Sequence, residues 1–553
     1  MQVEELRQAV KQAAKKLFDA DIEPEISRPE EQFGDYASNA ALQLAKQAAA
    51  SPRQIAEKLA AELQNLPGFD KPTIAGPGFI NFRLTDEALA RASFSATSLP
   101  KPLAGQQILV EFGDPNPFKE MHIGHLYSYI VGDSISRLLE ASGADVKRLS
   151  YHGDVGLHVA KAIYGLQALG ADSPAGSETI DEEKRMGKAY AYGSEKYEND
   201  PAAKQDIDKI NIQIYEGSDP QINELHKQGT GLSFSYFDKI LNLLGISTDK
   251  RYMESQTAGP GKKLVEENLA KVFKRSQGAV VYEGEKAGLH TRVFITSQGL
   301  PTYETKDLGL VVLKDQDFPQ AARSIIITAN EQIGVLKVML AALAEIRPQL
   351  AAKTSHLSHG FLTLSTGKMS SRSGNVYPAM KLLLEVKDAV HKQYPDSPVR
   401  KEVTFGAVKY AFLKHRLGQD IVFDVDESIS LEGSSGPYLE YAHARACSII
   451  KKAKAAGIEG VRLYDSQYNE SERSLARKIS EYPEVVSKAC EDLLPSDLCT
   501  YLYELAQSFN RFYEGNRVIG SEREIDRIGL VGEYVAVLSH GLGILNIAAP
   551  EKM

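Results

Sequence analysis

The sequence predicts a central α/β doubly wound (Rossmann-like) domain with an N-terminal α+β domain and a C-terminal all-α helical bundle. Three observations lead to this prediction. Strand and helix patterns alternate in the middle of the chain, a glycine-punctuated strand signal follows the first helices, and helical spacing dominates after Val403. Alternating strands and helices are typical of a parallel sheet covered by helices, and such sheets bind ligands at the carboxyl ends of their strands.

Changes in sequence texture separate the three regions. Residues 1–95 begin with amphipathic helices and close on a strand signal at 74–84, which indicates a small α+β domain. The central region is 96–395, and its charged stretch from about 170 to 250 predicts inserted surface helices. Residues 396–553 carry the helical bundle. The predicted strands of the central region are 108–112, 146–149, 293–295 and 324–327.

Length and composition indicate an ordinary multidomain globular protein. With 553 residues, the chain can form several domains that each bury a core. No apolar run approaches a membrane span and the polar N-terminus lacks a signal-peptide core, so we expect a cytoplasmic protein. Cys447, Cys490 and Cys499 are widely spaced and match no zinc pattern, so we expect reduced thiols and no structural zinc. The net charge of −9 argues against general attraction to nucleic acid, although local basic patches override such a total.

The most informative segment is His122-Ile123-Gly124-His125, which follows the predicted strand 108–112. Apolar residues at helical spacing come next, so the two histidines lie at a strand-to-helix turn. Such a turn presents unpaired backbone N–H groups and the positive end of a helix dipole to a phosphate. Imidazole N–H groups add directed donors, and Gly124 leaves room for a nucleotide against the backbone. The segment therefore predicts ATP binding.

A second motif, Lys368-Met369-Ser370-Ser371-Arg372, lies far downstream after a Ser-Thr-Gly stretch. Lys368 supplies a mobile point charge that can reach pyrophosphate oxygens as their charge grows. Either motif alone also occurs in surface loops, and the histidine motif occurs in small adenylyltransferases. Their occurrence in this order predicts adenylyl transfer from ATP.

Residues 110–126, VEFGDPNPFKEMHIGHL, resemble the Glu-Phe-Ser-x-Pro-Asn-x-x-Lys-x-x-His-x-Gly-His-Leu signature of the arginyl-tRNA synthetases, which are class I aminoacyl-tRNA synthetases. The resemblance runs nearly end to end. It implies ATP-dependent ligation of L-arginine to its tRNA through arginyl-adenylate, with release of AMP and pyrophosphate. The chain departs from the family at Tyr127, where arginine is common, at Val155 and Val335, and in the missing second lysine of the Lys-Met-Ser-Lys-Ser loop.

The resemblance implies three sets of residues in the central domain, two of which overlap. Catalysis is expected from His122, His125 and Lys368. ATP binding is expected from His122, Gly124, His125, Lys368, Met369 and Ser370. Arginine binding is expected from Glu111, Asn116, Tyr303, Asp307 and Gln332. Mg²⁺ is expected to arrive with ATP rather than through resident metal ligands. The chain is expected to act as a monomer.

The residue types suit recognition of a guanidinium group, which is planar and permanently charged and needs carboxylates in a fork-like arrangement. Glu111 ends the first predicted strand, and Asp307 lies four residues after Tyr303, on the same face of a helix. Read singly, Asp307 is equally well a helix cap and Glu111 a solvated strand end. The five matches in register favour the pocket.

The outer regions carry the expected tRNA contacts. Phe79 and Asn81 alternate along a strand and are expected on one face as an aromatic platform and an amide reader. Tyr441 and Arg445 lie one helical turn apart, and Asn510 belongs to a second polar-aromatic patch. The structural alternatives are a sheet-core role for Phe79 and bundle packing for the helical patches. Two other functions stay open: a small-molecule adenylyltransferase, and a non-catalytic RNA-binding or regulatory paralogue.

Overall fold

The computed structural model describes residues 2–169, 179–365, 377–458 and 467–553. The first of its three regions is a four-stranded antiparallel sheet in the order β1-β2-β4-β3, with four helices, and its apolar core confirms the predicted α+β domain. Its elements are α1 (Gln2–Phe18), β1 (Ile26–Ser27), β2 (Tyr36–Ser38), α2 (Ala40–Leu44), α3 (Pro52–Glu62), β3 (Thr73–Ala75), β4 (Phe79–Phe82) and α4 (Asp86–Phe94).

The central region alternates strands and helices, as the sequence predicts. Its elements are β5 (Gln107–Glu111), α5 (Ile123–Ala141), β6 (Asp145–His152), α6 (Leu157–Leu169), α7 (Thr179–Asn199), α8 (Pro201–Glu216), α9 (Pro220–Leu244), β7 (Lys250–Met253), α10 (Glu254–Glu267), β8 (Lys274–Ser276), β9 (Ala279–Tyr282), β10 (Arg292–Ile295), α11 (Tyr303–Asp317), β11 (Ala321–Ala329), α12 (Ile333–Ile346), α13 (Pro348–Lys353), β12 (Thr354–His359), β13 (Leu362–Leu364) and α14 (Ala379–Gln393).

Five parallel strands in the order β12-β11-β5-β6-β7 form the central sheet. Successive side chains of β5 point to opposite faces. Ile108 and Val110 share a core with α5, whereas Leu109 packs with Leu310 of α11. Helices therefore cover both faces, which confirms the doubly wound prediction. Chain order reverses between β5 and β11, so the ligand-binding crevice lies at the carboxyl ends of these two strands.

Two features of the central region differ from the prediction. The predicted strand 293–295 belongs to a separate antiparallel sheet, β10-β9-β8, because its apolar run covers a local core with Phe273 and Tyr282 rather than the central sheet. The edge strands β7 and β12 were not predicted. They carry polar and charged residues such as Lys250 and His356, which an edge position tolerates.

The charged stretch near 170–250 is helical where the structure describes it. Helices α7, α8 and α9 pack with α6 around buried Ile207, Ile210 and Ile222, so the insertion has its own small core. Phe118, from the segment between β5 and α5, joins that core. The insertion is thereby attached to the segment that precedes the histidine motif.

The remaining chain is the predicted helical bundle. Strands β13 and β14 form a short parallel pair beside it. Cys490 and Cys499 are buried thiols, and no helix in the described ranges has the length and apolarity to span a membrane. The elements of this C-terminal region are α15 (Arg400–Leu413), β14 (Ile421–Phe423), α16 (Val425–Ile429), α17 (Gly436–Ala455), α18 (Glu470–Ser480), α19 (Tyr482–Asp492), α20 (Pro495–Gly515) and α21 (Glu524–Ile544).

Arg473 of α18 joins the bundle to the N-terminal domain. Its guanidinium pairs with the carboxylates of Asp35, at 2.7 Å, and Asp86, and it donates to the Leu84 carbonyl at 3.0 Å. Arg473 and Asp35 are both buried. Breaking a buried pair by removing one partner leaves an uncompensated charge.

Arg473→Met should lower the free energy of unfolding by roughly 3–5 kcal/mol, because Asp35 stays buried without its main cation. Urea unfolding followed by circular dichroism measures the change. Arg91→Met is the matched control, since the Arg91–Glu87 pair is exposed and should change stability by less than about 1 kcal/mol. Equal effects of the two substitutions would contradict the conclusion that the ion pairs of Arg473 hold the bundle against the N-terminal domain.

Candidate active site

The histidine motif forms the turn between β5 and α5, and its two side chains cap the helix reciprocally. Nδ1 of His122 accepts from the backbone N–H groups of Gly124 at 3.1 Å and His125 at 3.4 Å. Nδ1 of His125 accepts from the His122 N–H at 3.3 Å, and the two rings stack with centroids 3.6 Å apart. Because both Nδ1 atoms accept, the proton of each neutral ring lies on Nε2. The turn therefore presents two Nε2–H donors.

Both rings are neutral at physiological pH. Burial lowers the pKa of His122 to about 4, and the nearby Lys119 ammonium adds to this shift. Burial also lowers the pKa of His125, and the neighbouring His122 and His152 contribute in the same direction. Neutral imidazoles keep the tautomer that caps the helix. They are therefore fixed hydrogen-bond donors rather than titrating cations.

Lys368, Met369 and Ser370 lie outside the described residues, so their predicted role stays a prediction. The flanking chain is placed. Ser365, after β13, donates its N–H to Phe423 O at 2.9 Å. On the other side, the Tyr377 carbonyl accepts from the Ile123 N–H at 3.0 Å, and Ala379 donates to Met121 O at 2.8 Å. The chain that follows the Lys368 motif is thus hydrogen-bonded directly to the histidine turn.

The structure excludes both structural alternatives for Glu111 and Asp307. Glu111 ends β5, is 4% exposed, and pairs with buried Lys314 of α11, so the solvated-strand-end interpretation is wrong. Helix α11 begins at Tyr303 with Thr302 as N-cap, which places Asp307 in the second turn. The cap interpretation of Asp307 is therefore wrong as well, and the predicted shared helical face of Tyr303 and Asp307 is confirmed.

A third acid, Asp114, joins Glu111 and Asp307, and the sequence analysis missed it. Its Oδ1 accepts from the Tyr151 N–H at 2.7 Å. Burial raises the pKa values of Asp114 and Asp307 well above the usual carboxyl range, and the charge of Glu111 raises both further. In the sequence, Gly113 stands where the family signature has serine, and the signature leaves position 114 open, so no motif pointed to Asp114.

Two further buried cations, Lys306 and Lys314, were also missed. Lys314 follows an apolar run in α11, where a charged residue signals a buried partner, and Lys306 pairs with Glu254 of α10. Glu304 pairs with Arg292 at 3.2 Å. The acids around the pocket are therefore partly balanced by lysine and arginine from α11 and β10.

The other three expected arginine ligands, Asn116, Tyr303 and Gln332, differ in exposure and in position relative to these acids. Asn116 Oδ1 accepts from the Gly153 N–H at 2.8 Å. Tyr303 is 67% exposed, with the Lys306 ammonium 5.3 Å from its ring centroid. Gln332 is exposed at the end of the turn that follows β11, on the other side of the switch point, and has no hydrogen bond to the other four in the described ranges. Arginine binding by these residues stays a prediction.

The N-terminal pair of expected tRNA contacts divides between surface and core. Phe79 is 40% exposed, so the sheet-core alternative is wrong for it. Asn81 is 5% exposed, because β4 is an inner strand with β2 and β3 on either side. Asn81 is therefore buried next to the exposed ring of Phe79, and its contact with tRNA stays a prediction. Contact of Phe79 with tRNA stays a prediction.

The C-terminal residues gather where α17 meets α20. The Arg445 guanidinium lies 4.5 Å from the Tyr513 ring centroid, and Asn510 donates to Tyr438 Oη at 2.9 Å. These two side chains thus make bundle contacts, as the structural alternative states. Tyr441 is 45% exposed beside them. RNA binding by this surface stays a prediction.

Models of known protein families match three segments of the chain. They are described as the arginyl tRNA synthetase N terminal domain at residues 4–84, the tRNA synthetases class I (R) catalytic domain at 95–425, and the DALR anticodon binding domain at 439–553. The catalytic match alone covers more than half of the chain. The chain belongs to the arginyl-tRNA synthetase family. The flanking matches also argue against a small-molecule adenylyltransferase.

Individual relatives agree with this family. The chain is 31% identical to an arginine–tRNA ligase of Treponema denticola over 92% of the chain and 91% of that protein. It is 31% identical to an arginine–tRNA ligase of Borreliella burgdorferi over 82% and 81%. The structure matches that of Thermus thermophilus arginyl-tRNA synthetase with a TM-score of 0.84, 27% identity and full coverage of both chains.

His122→Asn should separate the two roles of His122. Asparagine keeps an oxygen that can cap the helix, so the free energy of unfolding should change by less than about 0.5 kcal/mol. Loss of the Nε2–H donor should lower kcat for aminoacylation about 100- to 1,000-fold. His122→Ala should lose the cap as well and lower stability by about 1 kcal/mol. Undiminished kcat in the asparagine variant would contradict the donor role.

Asp307→Asn should stabilise the chain while weakening arginine binding. The pKa of Asp307 is higher in the folded than in the unfolded chain. Its ionisation therefore lowers the free energy of unfolding as pH rises from the unfolded pKa to the folded pKa. Removing the charge should therefore raise the free energy of unfolding by about 0.5–2 kcal/mol near pH 8, with a smaller gain near pH 5.

Urea unfolding at both pH values measures this effect. Asp315→Asn is the control on the same helix, because Asp315 is partly exposed and already paired with Lys353 at 2.9 Å. That control should not stabilise the chain. A loss of stability in Asp307→Asn near pH 8 would contradict the interpretation of Asp307 as an uncompensated acid.

Proposed function

We propose that this chain is an arginine–tRNA ligase that joins L-arginine to its cognate tRNA through an arginyl-adenylate, with release of AMP and pyrophosphate. One observation carries the proposal: the carboxylates of buried Glu111 and half-buried Asp114 and Asp307 lie at the same sheet crevice as two fixed imidazole donors. Carboxylates that lack cationic partners suit a guanidinium substrate. Fixed donors at a helix N-terminus suit the phosphates of ATP.

In the first step, the arginine carboxylate attacks the α-phosphorus of ATP. An oxygen–phosphorus bond forms, and the bond from the α-phosphorus to the bridging oxygen breaks, so pyrophosphate leaves with that bonding pair. The Nε2–H groups of His122 and His125 donate to phosphate oxygens, and Lys368 adds positive charge at the leaving pyrophosphate. Such chemistry depends mainly on positioning and charge stabilisation.

In the second step, the terminal ribose hydroxyl of tRNA attacks the carbonyl carbon of the adenylate. The new ester bond holds arginine on the tRNA, the hydroxyl proton is lost to solvent, and AMP leaves with the oxygen that joined the carbonyl carbon to phosphorus. Phe79 in the N-terminal domain and Tyr441, Arg445 and Asn510 in the bundle are the proposed tRNA contacts. Exposed aromatic rings support this role because they can stack on bases.

Arginine is recognised by charge and shape together. Asp307 and Glu111 bind the guanidinium, and the Tyr303 ring bounds its face. Asn116 and Gln332 serve the α-amino group or orient the carboxylates, because an amide both donates and accepts. A neutral amino acid of equal size would leave the acids unpaired, so selection for a cation follows from the pocket's own charge.

Several finer points belong to the same proposal. Mg²⁺ arrives with ATP, bound largely by phosphate and water. The chain acts as a cytoplasmic monomer, where tRNA and ATP are both available and its three free thiols stay reduced. Its domains divide at 1–95, 96–395 and 396–553. The start of α15 at Arg400 supports the last of these limits.

Aminoacylation of tRNA with radiolabelled arginine, ATP and magnesium tests the function. The unaltered chain should charge tRNA with arginine, and excess unlabelled lysine or glutamate should not compete. Lys368→Ala should lower kcat about 100- to 1,000-fold, because a charge at the leaving pyrophosphate is lost.

Lys381→Ala is the matched control for Lys368. Lys381 is an exposed lysine of α14 whose ammonium lies 4.6 Å from the Tyr377 ring centroid, just beyond the Lys368 motif. Its loss should leave kcat within about twofold, because exposed charges contribute little. A folded, RNA-binding chain that charges no tRNA would favour the non-catalytic paralogue.

A further inference from the structure

Asp114 is held in an unusual backbone conformation directly beyond β5. Its φ of 53° lies in the left-handed region, which aspartate tolerates better than most residues. Oδ1 accepts from the Tyr151 N–H at 2.7 Å, so the carboxylate is fixed across the neighbouring strand β6. Oδ2 has no hydrogen-bond partner in the described part of the chain. One oxygen therefore anchors the side chain and the other remains available to a ligand.

The preceding residue makes this arrangement possible. Gly113 has a φ of 93°, and a Cβ there would lie only 2.3 Å from the Tyr129 ring. A serine, the residue type of the family signature, does not fit at Gly113 while Tyr129 fills that space. Gly113 therefore departs from the signature, and the next position, which the signature leaves open, carries the carboxylate of Asp114.

The charges around Asp114 do not balance. Among the described residues, each neighbouring acid except Asp114 and Asp307 has its own cation. Glu111 pairs with Lys314, Glu254 with Lys306, and Glu304 with Arg292. The phenols that face the group from α5, β6 and β7 belong to Tyr129, Tyr151 and Tyr252, and burial raises their pKa values, so they stay uncharged.

Two neighbouring carboxylates that lack cations do not both ionise readily in a buried site. Burial and the charge of Glu111 keep the pKa values of Asp114 and Asp307 well above the ordinary range. Arginine brings two cationic groups, a guanidinium and an α-ammonium. Its binding therefore favours the ionised form of these acids over the protonated form.

We propose that Asp114 is a third carboxylate of the arginine pocket and that arginine, when it binds, displaces a proton held by the Asp114–Asp307 pair. This inference rests on the proposed function. The O–H bond of one carboxylic acid breaks, its proton passes to a buffer base in solution, and the carboxylate formed pairs with a cationic group of arginine. Asp114 thus tunes selection for a doubly cationic amino acid.

Titration calorimetry of L-arginine into the full chain tests the proposal. Runs at one pH in phosphate and in Tris buffer, which differ in ionisation enthalpy, give the number of protons released. About one proton should leave per arginine bound below the raised pKa. As pH rises toward the raised pKa, the dissociation constant for arginine should fall by up to about tenfold per pH unit, and above that pKa it should level off.

Asp114→Asn should bind arginine about 10- to 100-fold more weakly and release clearly less than the wild-type number of protons. Asparagine can still accept from the Tyr151 N–H and tolerates the left-handed backbone, so the fold should persist, which circular dichroism checks. Asp249→Asn is the matched control, because Asp249 Oδ2 likewise accepts a β6 backbone N–H, that of Arg148 at 2.7 Å, away from the acidic group. It should keep wild-type affinity and proton release.

Either of two results would overturn the inference. One is arginine binding without proton release between about pH 5 and about pH 8. The other is an Asp114→Asn variant with wild-type proton release. A chain that neither binds arginine nor charges tRNA would overturn the proposed function along with the inference, whereas normal charging with no proton release would overturn the inference alone.

Discussion

Strands β5 and β11 lie side by side in the parallel sheet, while the helices attached to them cover opposite faces. Their carboxyl ends therefore open onto a common crevice. The histidine turn and Glu111 come from the end of β5, and the turn that carries Gln332 comes from the end of β11. Helix α11 adds Tyr303 and Asp307 from one face of the sheet. The two imidazole donors and the acids thus become neighbours because the sheet reverses its order at this point.

The crevice has two electrostatically different parts, one with neutral imidazole donors and one with carboxylates. At the histidine turn, burial keeps His122 and His125 neutral, and the capping bonds fix their Nε2–H groups as donors. In the other part, Glu111, Asp114 and Asp307 lie near Lys314, which pairs with Glu111. Donors that do not titrate suit a phosphate whose charge changes during reaction. Acids that lack cations suit a substrate that supplies its own.

The outer domains are fastened to this centre and to each other by buried polar contacts. Arg473 joins the bundle to the N-terminal sheet through Asp35 and Asp86. Asn546, near the end of the chain, donates to Asp133 of α5 at 2.7 Å and to the carbonyl that ends α9. Helix α5 begins at the histidine turn, so these contacts fix the positions of the proposed tRNA surfaces on β4 and α17 relative to that turn.

The sequence by itself determined the layout of the chain. Local periodicity predicted the α+β domain, the doubly wound sheet and the bundle, and the order of the two motifs predicted the ATP chemistry, because a strand-to-helix turn and its donors are properties of a short segment. Only tertiary structure decided which polar residues are buried and paired. It excluded the cap role of Asp307, buried Asn81 within a sheet, moved 293–295 to a second sheet and brought Asp114 beside Glu111 and Asp307. These outcomes depend on contacts between distant segments, which no local pattern encodes.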